Sequence, residues 1–525
     1  MINRLVRRLG FQQSVPVSLI DDWHIPAPKR SSIELAPREG AASCRVDQYG
    51  RVQVDGASWT LDLTLAAGAR WVAASASDRV AQTLTAPGVV ETTVQTPSGP
   101  VVHRVAAGVV SGQPVAVIEI ENTGGVAIAV GMVARPLQLD GRGYIGEAAI
   151  DGSGIVIDGR RCVRFETSPA TVTASDGASG DLLAHMPAAS EGASSAAAKC
   201  RSGGAQAAAV WPLPHTATLR IVVELAGNTS PGAAVPSTSD INRGWEAHLK
   251  QGMRVDVDDF EVSEHLSTAC RSVLTMWPEV QDTPSAILAM SEMGFGRDAG
   301  RFFDLLERCD DDGAVLRCLA RWAQLGEQAH QLEDLERILG RLAQAAHVVA
   351  GSGGEPAGAA WLDDALVALG GRLHQIEQPD VAERVQGFKT AVQPIEGASD
   401  QLALLTKALD KRGVWPEAQM RSASHYVRAI RALVVEDTGT EVRLLPQLPE
   451  LWRGRTIDVL GLPVANGTMS FGLRWHGHRP ALLWEASLAP EAPFTLKIPG
   501  IDAGFETSGR QGETLLTDPG WGSAS

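Results

Sequence analysis

The hydrophobic period changes twice along this chain, so it cannot fold as one sheet or as one bundle. From about residue 30 to 235, segments such as RVQVDG, WTLDLTL, VVETTVQT, VAVIEIEN and LRIVVEL alternate apolar and polar residues. Val, Ile and Thr dominate, and Gly, Asn, Asp or Pro break the runs at short intervals, which predicts an antiparallel β-sandwich over 30–235. Its Ala-, Ser- and Gly-rich stretch 175–209 has little surface to bury and is expected to be a mobile loop. From Ser263 the period is helical. Thr283 and Pro284 form an N-cap and N1 pair opening AILAMSEMG, and Gly294 is a suitable stop. Amphipathic segments follow near 297–308, 313–328, 331–350, 359–376, 379–392, 400–411 and 422–435, about nine helices in all. Short connections between them predict stacked antiparallel hairpins over 263–435, with 236–262 as a linker. After Glu436 the strand pattern returns in EVRLLPQL, RTIDVLGL, GTMSFGLRW and PALLWEA, predicting a small β-domain over 436–505 and a fraying polar tail. The fold class is thus α+β and multidomain.

At 525 residues the chain exceeds a single core. Its 61 acidic against 46 basic residues give a net charge of −15, a field that repels nucleic acid and anionic membranes. The basic cluster Arg4, Arg7 and Arg8 reads as a solvated end. No stretch of about 18 apolar residues runs uninterrupted, and the first residues lack an apolar leader core. The six cysteines are scattered without CxxC or metal spacing, as expected of reduced thiols in a cytoplasmic protein.

Three patterns carry a family resemblance. HYVRAIRALVVEDTGTEVRLLPQLPELWRGRTIDVLGLPVANGTMSFGLRW resembles the junction of six-hairpin glycosidases, where the last helix of an α/α toroid runs into a closing β-domain. WPEVQDTPSAILAMSEMGFGRDAGRFFDLL is similar to the segment that carries Trp, then Arg-Asp, then a helix in that glucoamylase-like and glycogen-debranching-like group. VVETTVQTPSGPVVHRVAAG and IEIENTGGVAIAVGMVARPL are similar to the group's N-terminal sandwich. The resemblance implies an N-terminal β-sandwich, an α/α toroid of helical hairpins and a small C-terminal β-domain. Such a toroid has twelve helices, so this one is expected to be incomplete. An open ring would leave apolar helix faces for the sandwich, the C-terminal sheet or a second copy of the chain to cover.

The resemblance also implies chemistry. Glycoside hydrolysis needs two carboxyl groups flanking the scissile bond, one protonated and one ionised, about 6.5 to 9.5 Å apart in an inverting enzyme. Asp282 matches the family's Asp that grips sugar hydroxyls, while Gln281 stands where the family has Arg. Glu417, on the loop entering the last helix, is the candidate base. Glu355, Asp363 and Asp364, around the loop where the family places its general acid, are candidate acids, although Asp363 and Asp364 also suit a helix start. Trp277 and Trp415 flank two of these carboxylates and suit sugar stacking or ordinary core packing.

Two functions follow. One is a glycoside hydrolase-like protein acting on or binding an α-linked glucan or oligosaccharide. The other is a non-catalytic relative serving as a glycan-binding or assembly subunit, favoured by Gln281, the missing hairpin and the unassigned acid. Expected partners are a carbohydrate ligand and, in a homo-oligomer, further copies of the chain, with no nucleic acid, membrane, metal or cofactor. Gly141, Gly143 and Gly146 spell GxGxxG, but strand-like sequence follows where a nucleotide site needs a helix, so a loop is expected. His476 and His478 form an HxH with no third ligand nearby, and Asp310, Asp311 and Asp312 read as a solvated helix cap.

Overall fold

The structure, a computed structural model, describes residues 32–309 and 397–520 apart from short gaps at 39–41, 68–69, 78, 86–87, 179, 187–192, 228, 231, 259–260, 276–277, 307, 410–414, 416–418 and 466. Between 310 and 396 it describes only residues 314, 318, 321 and 325. The chain divides into two compact units, Met1–Trp245 and Glu246–Ser525.

The first unit is built from an eight-stranded and a nine-stranded sheet. The nine-stranded sheet is centred on Gly99–Val110, Gln113–Asn122 and Thr218–Glu224, paired antiparallel. The eight-stranded sheet is centred on Thr60–Ala67, Ile128–Arg135 and Gln206–Leu213. The sheets meet closely: His103 of one lies 2.9 Å from where a Cβ on Gly50 of the other would sit. That is the expected sandwich-like arrangement.

The stretch 175–209 corrects the expectation of a loop. Ser195–Lys199 is a strand paired with Glu147–Asp151, and Gln206 opens the strand beside Ile128–Arg135. Ala207, Ala208 and Ala209 are fully buried, so these small side chains pack the core. Of the GxGxxG residues expected in a loop, Gly143 and Gly146 lie outside any strand, whereas Gly141 opens a two-residue strand. Gly141 pairs with Gln138, and a Cβ on Gly143 would fall 1.9 Å from the Ser58 carbonyl.

Among the described residues, seven helices with defined bounds are labelled in chain order: α1 (Thr238–Leu249), α2 (Val262–Thr275), α3 (Thr283–Glu292), α4 (Gly296–Ala299), α5 (Phe303–Leu306), α6 (Ala398–Lys407) and α7 (Gln419–Val434). The expected linker 236–262 instead carries α1 and the strand Arg254–Val257, which pairs with Ile457–Val464. The helix expected over 297–308 is split into α4, a 3₁₀ turn at Gly300–Phe302, and α5.

Ala423, Tyr426, Val427, Ile430 and Val434 recur at helical spacing on α7 and are buried, giving it one apolar face. Among the described residues the helices do not trace a ring of hairpins. The helices expected near 331–350, 359–376 and 379–392 lie outside the described residues.

The C-terminal β-domain holds a five-stranded and a four-stranded sheet. Helix α7 runs directly into the strand Val435–Asp437 of the smaller sheet. In the larger sheet, Gly467–His476 and Arg479–Leu488 alternate buried with exposed residues, and Met469, Phe471, Leu473, Leu482 and Trp484 form the inward face. The tail expected to fray supplies its last strand, Gln511–Leu515.

Candidate functional site

Helices α3 and α7 stand about 135 residues apart in sequence yet lie side by side. At their starts, Arg421 Nε is 3.8 Å from Asp282 Oδ1. At the far end of α3, Glu292 Oε2 is 3.5 Å from Arg428 Nε, and the Glu292 carbonyl accepts from Arg431 at 3.1 Å. Matching the two ends shows that the helices run parallel. Arg431 also donates to the Pro463 carbonyl at 2.7 Å, tying this pair to the C-terminal sheet.

Asp282 ends the 3₁₀ turn Val280–Asp282 and occupies the N-cap position of α3, one residue before the expected cap at Thr283. Its backbone is already helical there, with φ −92° and ψ −8°, and its carboxylate makes no capping hydrogen bond. Thr283 instead turns its hydroxyl back to the Glu279 carbonyl at 3.1 Å. The Asp282 side chain is 26% exposed and so remains available to a ligand.

One turn beyond Arg421 on α7 is His425. Burial, then Arg428 and Arg421, push its pKa below the usual histidine value, and Asp282 opposes them. It is therefore a neutral imidazole at pH 7, able to accept or donate a hydrogen bond beside a carboxylate. Ser285, one turn into α3, has a buried hydroxyl with no hydrogen-bond partner among the described residues.

Of the other residues expected at a sugar site, Trp277, Glu355, Asp363, Asp364 and Glu417 lie outside the described residues. Trp415 is a buried residue packed in the core. It is 1% exposed, its Nε1 donates to the Leu405 carbonyl at 2.9 Å, and its ring centroid lies 5.3 Å from that of Tyr426. Gln281 accepts a hydrogen bond from the Cys309 thiol at 3.6 Å. Sequence reasoning missed His425 and Arg421, although RSASHYVR places them four residues apart on one helical face.

Among the described residues no group of three His, Cys, Asp or Glu side chains is arranged for an ion, and Asp310, Asp311 and Asp312 lie outside the described residues. No described helix is long and apolar enough to cross a membrane. All six cysteines are described and none forms a disulfide, and burial pushes the Cys44 thiol up to about 12.

No protein-family model matches the chain, and no curated protein matches its sequence. Among solved structures the chain is similar to a bacterial glucoamylase complexed with acarbose, at 10% identity and a TM-score of 0.41, over 73% of this chain and 68% of that one. It is also similar to an α-L-rhamnosidase from Dictyoglumus thermophilum, at 8% identity and a TM-score of 0.27, over 80% of this chain and 58% of that one.

Proposed function

We propose that the chain is a glycosidase-like protein that engages an α-linked glucan or oligosaccharide where α3 and α7 begin. The observation that carries this reading is Asp282, a partly exposed carboxylate that its helix does not use as a cap, held beside Arg421 and a neutral His425. A carboxylate so placed accepts from sugar hydroxyls, and the imidazole adds a second donor or acceptor. In the hydrolytic form of the proposal, Glu417 activates water and a second carboxyl protonates the leaving oxygen.

Gln281 supports a second reading, a non-catalytic glycan-binding subunit. An amide turned toward Cys309 brings no charge to the position that the family fills with Arg. Release of reducing ends from a panel of α- and β-linked oligosaccharides separates the two. The hydrolase reading expects turnover that Asp282→Asn weakens and Glu417→Gln abolishes, since a neutral amide cannot take a proton from water. Absence of turnover across the panel, with saccharide binding retained in the wild type and lost in Asp282→Asn, would leave the binding subunit.

A further inference from the structure

The outward face of the five-stranded C-terminal sheet forms a groove of about 710 Å³, a size typical of small-molecule sites. Its floor is low because Ser470, Gly472 and Ala481 occupy the central strands where larger outward side chains would fill it. The strand register arranges the lining in rows. Ser470, Glu485 and Gln511 are direct cross-strand neighbours and form a polar row. Gly472, Leu483 and Glu513 form the next, and Arg474, Ala481 and Leu515 the third. Leu483 is 60% exposed although it sits on an interior strand, so this face is open.

The lining selects a ligand class. Arg474 Nη2 donates to both carboxylate oxygens of Asp458, at 2.8 and 2.7 Å, an ion pair at the rim in which the two charges cancel. Glu485 and Glu513 have no ion-pair partner among the described residues, so the groove is net acidic and disfavours phosphates and other anions. What remains is a row of hydrogen-bonding groups along one edge, a short aliphatic floor, and a fixed polar pair opposite. A molecule with hydroxyls at its edge and C–H groups on its face satisfies all three.

We propose that this face binds a neutral oligosaccharide at a site that does not include Asp282. The choice of a glycan among neutral polyols rests on the glycosidase-like reading, whereas the groove and its charge do not. The full chain titrated calorimetrically with maltoheptaose and with cellohexaose should give a saturable isotherm with at least one of them. Measured in the Asp282→Asn background, which removes the contribution of the helix site, a saturable component should remain, and adding the double variant Glu485→Ala, Gln511→Ala, confined to exposed side chains, should weaken that component about tenfold.

Failure of both saccharides to bind overturns the proposal, as does binding that the double variant leaves intact. Binding lost in Asp282→Asn but kept in the double variant overturns the groove and supports the helix site, and the opposite pattern does the reverse. Light scattering that shows a dimer dissociated by Leu483→Asp, with no saccharide bound, would overturn it in favour of a subunit contact.

Discussion

His103 shows how much a single buried side chain can set the response of this protein to acid. It sits fully buried between the two sheets of the first unit, neither ring nitrogen has a hydrogen-bond partner among the described residues, and burial pushes its pKa down to about 4. Above pH 6.5 the ring is neutral in both folded and unfolded chains. As pH falls from about 6.5 to 4 the unfolded chain takes up a proton that the folded chain refuses, so stability is lost across that window and levels off below it. The displacement is worth roughly 3 kcal/mol. Replacing His103 by Gln should flatten this part of the stability curve, measured by urea titration at successive pH values, and an unchanged acid limb would rule the account out. At the candidate site the expectation is opposite in kind. The Asp282 pair with Arg421 is long and exposed, so Asp282→Asn should change stability by less than about 1 kcal/mol. Trp415→Ala, which empties a packed core position, should cost about 3–5 kcal/mol. Thermal melts that rank these two the other way would make Asp282 structural and Trp415 peripheral.

At the scale of elements, Arg135 joins three pieces of the sandwich. It ends the strand Ile128–Arg135, donates to Asp62 of the neighbouring strand at 3.0 Å, and pairs with Asp181, which caps the 3₁₀ turn Leu182–His185 through Leu183 N. Arg135→Met leaves two buried carboxylates without their cation, at a cost of about 3–5 kcal/mol. Urea titration of the variant at pH 7 checks that cost, and a loss below about 1 kcal/mol would mean that the arginine does not hold these pieces together. Elements of this kind were legible in the sequence only in part. Alternation showed the strands, and the i, i+4 pattern showed α7, because both periodicities record which face is buried. Helix α1 escaped notice although Ser237 and Asp240 form a reciprocal cap, with Ser237 N and Asp240 N each donating to the other's side chain at 3.0 Å. The alanine strands escaped for a different reason. Small residues look like loop by composition, yet Ala207–Ala209 are small because another layer packs against them. Asp282 could be found from its place before a helix, but its pairing with Arg421 spans 139 positions and no local pattern encodes it.

For the whole molecule, the division into Met1–Trp245 and Glu246–Ser525 means that two cores are closed by two sets of strands. Ile118 is fully buried in the middle of the nine-stranded sheet of the first unit, and Ile430 is fully buried on the apolar face of α7 in the second. Truncating either to Ala should cost about 2–5 kcal/mol, but within its own unit, because distant sites without shared partners act independently. A chain of this size with two cores is also expected to depart from a single cooperative transition. Calorimetry should therefore resolve two transitions, one lowered by Ile118→Ala and the other by Ile430→Ala. Both Asp282 and the C-terminal groove belong to the second unit, so a saccharide that binds at either place should raise only the transition that Ile430→Ala lowers. A single transition shifted equally by both substitutions would show that the units unfold as one. A ligand shift confined to the transition set by Ile118 would move the carbohydrate site into the first unit and remove both sites argued for above.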